Sequence, residues 1–399
     1  WTYQLLNTRE QRLFCSLGIY TDMFSVKSVS DLLLIKDKHR WQVVDDLQRL
    51  LALSLIQVST QVPETRFRLL ETMRQFACDK LRQQGEYTVL EARFAGYYKV
   101  LVEEAQGDWF MLPTGQWRER YSHMLNDLRS VLQQTLTEGA DPSKGLKILQ
   151  AMTPFWIEYS LYDECQRHIY PLLYENTSQV VLTLRQRMNL SAVAGKASTW
   201  AKGPTPETHS AWKTALTIAE KLDDKEIRLQ AHYGLWLYYL RTGELDKALE
   251  HAQSMCELAR SITDEEAMAT GLRILGVSLH FLGRHDVGRD YLQQSLDWYE
   301  HGELSHSFRF GLDQESAGQA FLSRLLWLQG EYKAAKQMAW RGVKKAARLQ
   351  HVCSLCCALA EGACMTAALD RNPRWVIKAA NWLIHLAKRH DLYFWKTYG

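Results

Sequence analysis

The sequence predicts a mainly α-helical protein: a small domain of three helices and a β-hairpin over residues 1–85, a helical connector over 86–190, and an α-solenoid over 191–399. Three observations carry this. Among 399 residues there are only 8 prolines and 22 glycines, too few for a turn-dense β fold. Period-two alternation occurs only around Leu55–Leu70. Beyond residue 190, a glycine followed five places later by a small residue recurs at near-constant spacing.

Thr8 to Leu17 reads as a first helix, with Thr8 as N-cap and Leu13, Phe14 and Leu17 on one apolar face. Ser28 to Ile35 gives a second helix, and Trp41 to Leu53 a third. Leu55–Ser59 and Arg66–Leu70 are two short strands around Thr60–Thr65, a turn that holds Pro63. Glu71 to Arg82 closes the domain. Three helices followed by a hairpin is the winged-helix order. Winged helices that read DNA do so through the third helix. Here that helix carries Asp45 and Asp46 against Arg49, so a protein-packing role is expected instead.

In the connector, helices are expected over Glu91–Ala105, Trp117–Leu136 (stopped by Gly139), Lys144–Tyr159 and Asp163–Tyr174. The repeats follow. Gly243 precedes Ala248, Gly283 precedes Gly288, and Gly330 precedes Ala335; Gly203 and the Asp370–Pro373 turn fit the same phase. The spacings are 40, 40, 47 and about 41 residues. A glycine turn lets the second helix fold back, and the small residue lets the two helices approach. This pattern resembles the tetratricopeptide repeat with lengthened helices, whose units stack into a superhelix. The long spacing places an insertion at Gly302–Gly311, either a binding loop carrying Phe308 and Arg309 or a plain solvated insertion.

Leu50 to Leu81, "LLALSLIQV…RFRLLETMRQFACDKL", resembles the winged-helix segment that follows the nucleotide-binding domain in STAND-class ATPases, which include the NB-ARC proteins and bacterial transcriptional regulators. Asn126-Asp127-Leu128-Arg129 is similar to that class's "DNLR" helix start, and Phe155-Trp156 with Asp163-Glu164 to its "YW…EG" segment. The resemblance implies a regulatory protein in which ATP or ADP binds an upstream domain and the repeats sense an inducer. NB-ARC proteins carry Met-His-Asp where this chain has Leu69-Leu70-Glu71. Leu70 cannot donate the histidine's hydrogen bond to nucleotide, which leaves Arg74 as the nucleotide-proximal candidate, or as a surface or capping arginine.

No phosphate-cradling loop, H-E-x-x-H or G-x-S-x-G is present, so no enzyme and no cofactor of this chain's own is expected. Cys353, Cys356, Cys357 and Cys364, with His351, are spread around one apolar helix; they read as small packing residues rather than a metal site. The His280/His285, His301/His306 and His385/His390 pairs, five apart, do not align on a helix face and read as chance. Aligning the turn glycines puts Tyr233, Arg241, Arg273, His280, Arg324 and Trp327 on the concave face. An arginine column beside aromatics suits an anionic or aromatic ligand, or an acidic peptide. Its alternative is a groove wall whose arginines pair with neighbouring carboxylates.

Lys+Arg 48 against Asp+Glu 45 gives only +3, too balanced for a bulk nucleic-acid-binding surface, so DNA is expected only through a domain outside this chain. Apolar runs such as Leu32–Ile35 fall short of the roughly 20 residues of a membrane helix. No signal peptide opens the chain, and isolated cysteines in apolar contexts suit a cytoplasmic protein. Starting at Trp1 and stopping inside a helical pattern, the chain reads as part of a longer protein. The expected partners are the upstream nucleotide-binding domain and a small-molecule or protein inducer. The rival reading is a tetratricopeptide scaffold that only joins proteins.

Overall fold

The computed structural model describes residues 2–59, 65–109, 112, 114–135, 142–159, 161–174, 181–301, 308–390 and 392–399. Backbone contacts divide the chain into two compact units, 1–111 with 116–152, and 112–115 with 153–399. The helices expected as a connector are thus shared between the two.

The first unit begins with the expected order: α1 (Thr8–Leu17), α2 (Val26–Leu32), α3 (Arg40–Ala52), the antiparallel strands β1 (Ile56–Ser59) and β2 (Arg66–Leu69), and α4 (Glu71–Gln83). The cap of α1 is Asn7, one residue before the expected Thr8; its side chain accepts from the Glu10 amide, and the Glu10 carboxylate accepts from the Asn7 amide. The turn at 60–64, with Pro63, lies outside the described residues. Phe24 pairs with Phe67 through two backbone bonds of 2.8 and 2.9 Å, adding a third pairing edge to the hairpin. On α3, Asp46 is buried and bound bidentately by Arg9, at 2.8 and 2.9 Å. That acid is an internal tie, not a surface charge.

Next come α5 (Tyr87–Asp108), α6 (Thr114–Tyr121), α7 (Leu125–Thr135) and α8 (Pro142–Ala151). The single helix expected over Trp117–Leu136 is broken by a 3-10 turn at Ser122–Met124. The two halves serve different ends. Trp117 donates its indole N–H to the Ala105 carbonyl at 2.7 Å, while Asp127 must reach Thr21 and Tyr98. The stop expected at Gly139 lies outside the described residues. Lys144–Tyr159, read as one helix, likewise breaks after Ala151, where Pro154 enters the first turn of the next helix.

The second unit holds α9 (Thr153–Glu158), α10 (Tyr162–Tyr174) and the repeats: α11 (Leu184–Ala201) with α12 (Pro206–Lys221), α13 (Lys225–Thr242) with α14 (Leu245–Ser261), α15 (Glu265–Phe281) with α16 (His285–His301), and α17 (Gln314–Leu328) with α18 (Tyr332–Arg348). A final pair follows. Its first member is α19 (Val352–Cys357), a π-helical segment (Ala358–Cys364) and α20 (Met365–Leu369); its second is α21 (Pro373–Arg389). The short α22 (Tyr393–Lys396) ends the unit. This is a mainly helical solenoid.

The turn glycines sit where the pattern places them, with φ of +88° at Gly203, +82° at Gly243, +78° at Gly283 and +87° at Gly330. Halfway between them the chain uses side-chain residues in the same left-handed conformation, Asp223, Thr263 and Gln350. The turn therefore recurs every 20 residues from 203 to 283, a half-period that the glycines alone conceal. The small residues behave as expected. Ala248 and Ala335 are fully buried, and a Cβ on Gly276 would stand 2.7 Å from the Gly288 carbonyl oxygen, so α15 and α16 touch at backbone distance.

By length and composition Val352–Leu369 could cross a membrane, with 18 residues at mean hydropathy 1.7, contrary to the expectation from apolar runs. It is the core helix of this array, packed against α17, α18 and α21, and it carries Glu361.

Two stability outcomes follow. Replacing Gly276 by Ala should lower the melting temperature through an overpacking cost of about 1–3 kcal/mol. Asp127 accepts from the Thr21 amide at 2.6 Å and hydroxyl at 2.7 Å, and from Tyr98 at 2.6 Å. Asp127→Ala orphans these donors and should cost about 2–4 kcal/mol by urea unfolding.

Candidate functional site

All six residues expected on the concave wall come from first helices of the pairs, as the phasing requires. Four of them are withdrawn from solvent: Tyr233, Arg273 and Arg324 are buried and Arg241 nearly so. The centre is Glu361, on the π-helical segment and 1% exposed. Its carboxylate accepts from Arg241 at 2.5 Å through one oxygen and from Arg324 through the other. Arg324 also donates to the Glu361 carbonyl at 2.7 Å. Arg241 reaches the Tyr398 hydroxyl as well and lies over the Phe394 ring. Burial works against the charge on Glu361, but the two guanidinium groups outweigh it and hold the carboxyl below its usual range.

Arg273, one repeat from each of the other two arginines, donates to Gln314 at 2.9 Å and to the Tyr233 hydroxyl at 3.3 Å, and lies 5.3 Å from the Trp236 ring centroid. Its neighbours are neutral dipoles and π faces. Trp327 stands at the end of α17 against Tyr332, its indole N–H buried without a partner. His280 bonds His285 Nδ1 to Nδ1 at 3.1 Å. This corrects the reading of that pair as chance: a five-residue spacing cannot align two rings on one helix, but it does across the turn at Gly283. The His301/His306 pair falls on His301, whose side chain is not described, and His306, which lies outside the described residues.

The wall is sealed at its end. Trp395 of α22 stacks on Trp200 of α11 with planes 13° apart and centroids 5.8 Å apart. Residues 302–307 of the expected binding loop lie outside the described residues. Phe308 is fully buried and stacks on His351 at 3.9 Å, while Arg309 holds Glu226, Asp264 and Glu266. Both residues fasten the insertion to the repeats. Arg74, in the first unit, forms a bidentate pair with Glu71 at 2.7 and 2.9 Å, the local surface pairing.

Sequence reasoning missed Glu361 and Lys196. Glu361 is the single charged residue within Val352–Leu369, and a lone charge in an apolar helix signals a buried partner. Lys196 is buried against the Arg309 carbonyl at 3.1 Å and Gln230 at 3.3 Å; burial lowers its pKa to about 8. Among the described residues no group of three or more His, Cys, Asp or Glu could hold a metal. Burial raises the Cys357 thiol to about 12 and Cys364 to about 11, keeping both protonated.

No family model matches the chain. Over 307 residues it is 26% identical to proteins of Mycobacterium tuberculosis and Mycobacterium bovis named "Putative HTH-type transcriptional regulator", a match spanning 74% of this chain and 34% of theirs. The chain thus spans about a third of the length of these curated relatives. Among solved structures, a Rap protein complexed with competence and sporulation factor aligns with TM-score 0.50 at 15% identity over 82% of this chain and 88% of its own, a likeness of fold. A STAND protein with a tetratricopeptide repeat sensor from Pyrococcus horikoshii aligns with TM-score 0.47 at 14% identity, over 97% of this chain and 58% of its own.

Because Arg241 and Arg324 are withdrawn from solvent and paired with Glu361, their removal should cost stability. Arg324→Ala leaves Glu361 with one partner and should destabilise by about 3 kcal/mol, a drop of about 6–12 °C in Tm for a unit of this size. Acid should act through the histidines. Burial lowers His232 and His251, bonded Nδ1 to Nδ1 at 3.0 Å, and also His280, to about 4. Folded values below the unfolded one mean stability present above pH 6.5 and lost as pH falls towards 4. Urea titrations between those limits should show the loss, and His251→Gln should flatten it.

Proposed function

We infer that this chain is the regulatory, sensing part of a larger transcriptional regulator. Its repeats bind an inducer or protein partner at the inner wall and control a nucleotide-binding module elsewhere in the same protein. The sequence similarity to regulators a little over twice as long supports the regulatory setting. The solenoid fold, shared with a Rap protein solved in complex with competence and sporulation factor, supports a binding role for the repeats.

The observation that carries the reading is the Arg241–Glu361–Arg324 cluster. One carboxylate joins α13, α17 and the π-helical segment, across 120 residues of chain in one bond and 37 in the other. A ligand carboxylate or phosphate that took the place of Glu361 would retain both arginine contacts and release the segment that carries it. An inducer acting this way binds the released state better than the closed one, which is what shifting the equilibrium requires. Arg241, Arg273, Arg324 and Tyr233 are the proposed ligand contacts, with His280 and Trp327 at the edge. Arg74 is the proposed nucleotide-proximal residue of the hairpin domain, and ATP or ADP would bind outside this chain, as would DNA.

The test uses the full-length parent. Tyr398→Phe and Glu361→Gln weaken the cluster to different degrees. Both should raise inducer-independent reporter transcription and speed ADP release, Glu361→Gln by about tenfold for each 1.4 kcal/mol of closed-state preference removed. Lower melting temperatures with unchanged ADP release and unchanged transcription would favour the scaffold reading instead.

A further inference from the structure

The outer helices of the array differ sharply in charge. By sequence α12 is neutral, α14 carries a net −1 and α16 a net −3. Helix α18 carries six lysines and arginines and no carboxylate, and α21 carries four and none. The chain as a whole is only +3, so these ten cations form a local field that the bulk charge hides.

Between α18 and α21 lies an open groove of about 1090 Å³. Its apolar lining is Trp340, Leu349, Trp375, Ala379 and Trp382. Trp375 and Trp382 are 44% and 39% exposed, a large apolar area for two positions of one helix. Trp340 and Trp375 meet edge to face, with centroids 5.4 Å apart and planes at 69°. Some of the cations are already engaged. Lys336 pairs with Asp370, Arg341 with Glu300 and Lys345 with Glu315, and Lys378 lies 4.9 Å over Trp375. Lys344 and Arg348, one helical turn apart, are exposed and form no ion pair among the described residues.

We propose that this groove docks an acidic amphipathic helix of a partner protein, its apolar face on the tryptophans and its carboxylates against Lys344 and Arg348. Charge complementarity selects an anionic partner, and the tryptophan floor selects one with an apolar face. Each bordering helix has 17 residues, about 25 Å, matching five turns of a bound helix. The edge-to-face contact of Trp340 with Trp375 and the lysine over Trp375 engage surfaces on which a base would stack, which favours a helix over single-stranded nucleic acid. Tryptophan and arginine at the centre and rim are the residues on which protein interfaces concentrate their energy. The site lies between the second helices of the last two pairs, lined also by Glu315 and Gln319 of α17, and includes none of the ligand contacts proposed for the inner wall.

The experiment is fluorescence anisotropy with the whole chain and three probes. The first is an 18-residue helical peptide with leucines at i, i+3, i+4 and i+7 and glutamates elsewhere. The second is its scramble, with the same charge and no apolar face. The third is an oligothymidylate. The amphipathic peptide should bind, the scramble about tenfold more weakly. Lys344→Glu with Arg348→Glu should weaken the amphipathic peptide by about tenfold or more, and salt should weaken it through screening. Trp382→Ala should weaken it at any salt. These exposed, unpaired side chains should leave the melting temperature unchanged within a few degrees, which separates docking from folding. Equal binding of both peptides, or tighter binding of the oligothymidylate, overturns the proposal in favour of a general anion or nucleic-acid surface. Absence of peptide binding also overturns it. So does self-association of the chain by sedimentation that the double charge reversal abolishes, which would assign the groove to the acidic α16 of a second copy.

Discussion

Two helices can pack at backbone distance only if the turn joining them reverses the chain in very few residues. In this array that constraint is met by a left-handed residue after each helix, at 203, 223, 243, 263 and 283. Everything else in the repeats follows from it. A fixed turn position fixes helix length, helix length fixes which residue faces which, and close facing takes a glycine or alanine five places after the turns at Gly243, Gly283 and Gly330. Where the spacing changes, between Gly283 and Gly330, Arg309 and Phe308 restore the packing by fastening the extra chain to α13, α15 and His351.

Much of this was legible in the sequence because it is local. The three helices and hairpin of the first unit, the pairs of repeat helices and the placing of Tyr233, Arg241, Arg273, His280, Arg324 and Trp327 on the first helices of the pairs all follow from residues within a turn or two of one another. The fine breaks were not legible. The kink at Ser122–Met124 exists so that Trp117 and Asp127 can serve different partners, and those partners lie 12 to 106 residues away. The intermediate turns at Asp223, Thr263 and Gln350 escaped because their side chains do not announce a positive φ.

The inner wall shows the same divide. Its arginines were visible, and the alternative that they pair with neighbouring carboxylates describes Arg241 and Arg324. It does not describe Arg273, which is held by an amide, a phenol and an indole face. That three cations are buried rather than bathed in water depends on Glu361, on the insertion and on α22, none of them close to the arginines in sequence. A periodic pattern reports which face of a helix points inward, not whether the inside is filled.

The Glu361 bonds also change how the array would come apart. A simple solenoid is a row of neighbours, so its end repeats fray first and each unit adds its own increment. Here Arg241 in the second helix pair is tied to Glu361 in the fifth, and Trp395 closes on Trp200 of the first. A row whose ends are fastened to its beginning loses its weakest point. Pulled or heated, the repeat unit should yield as a whole, and under force it should give one high rupture followed by slack rather than a staircase of equal steps.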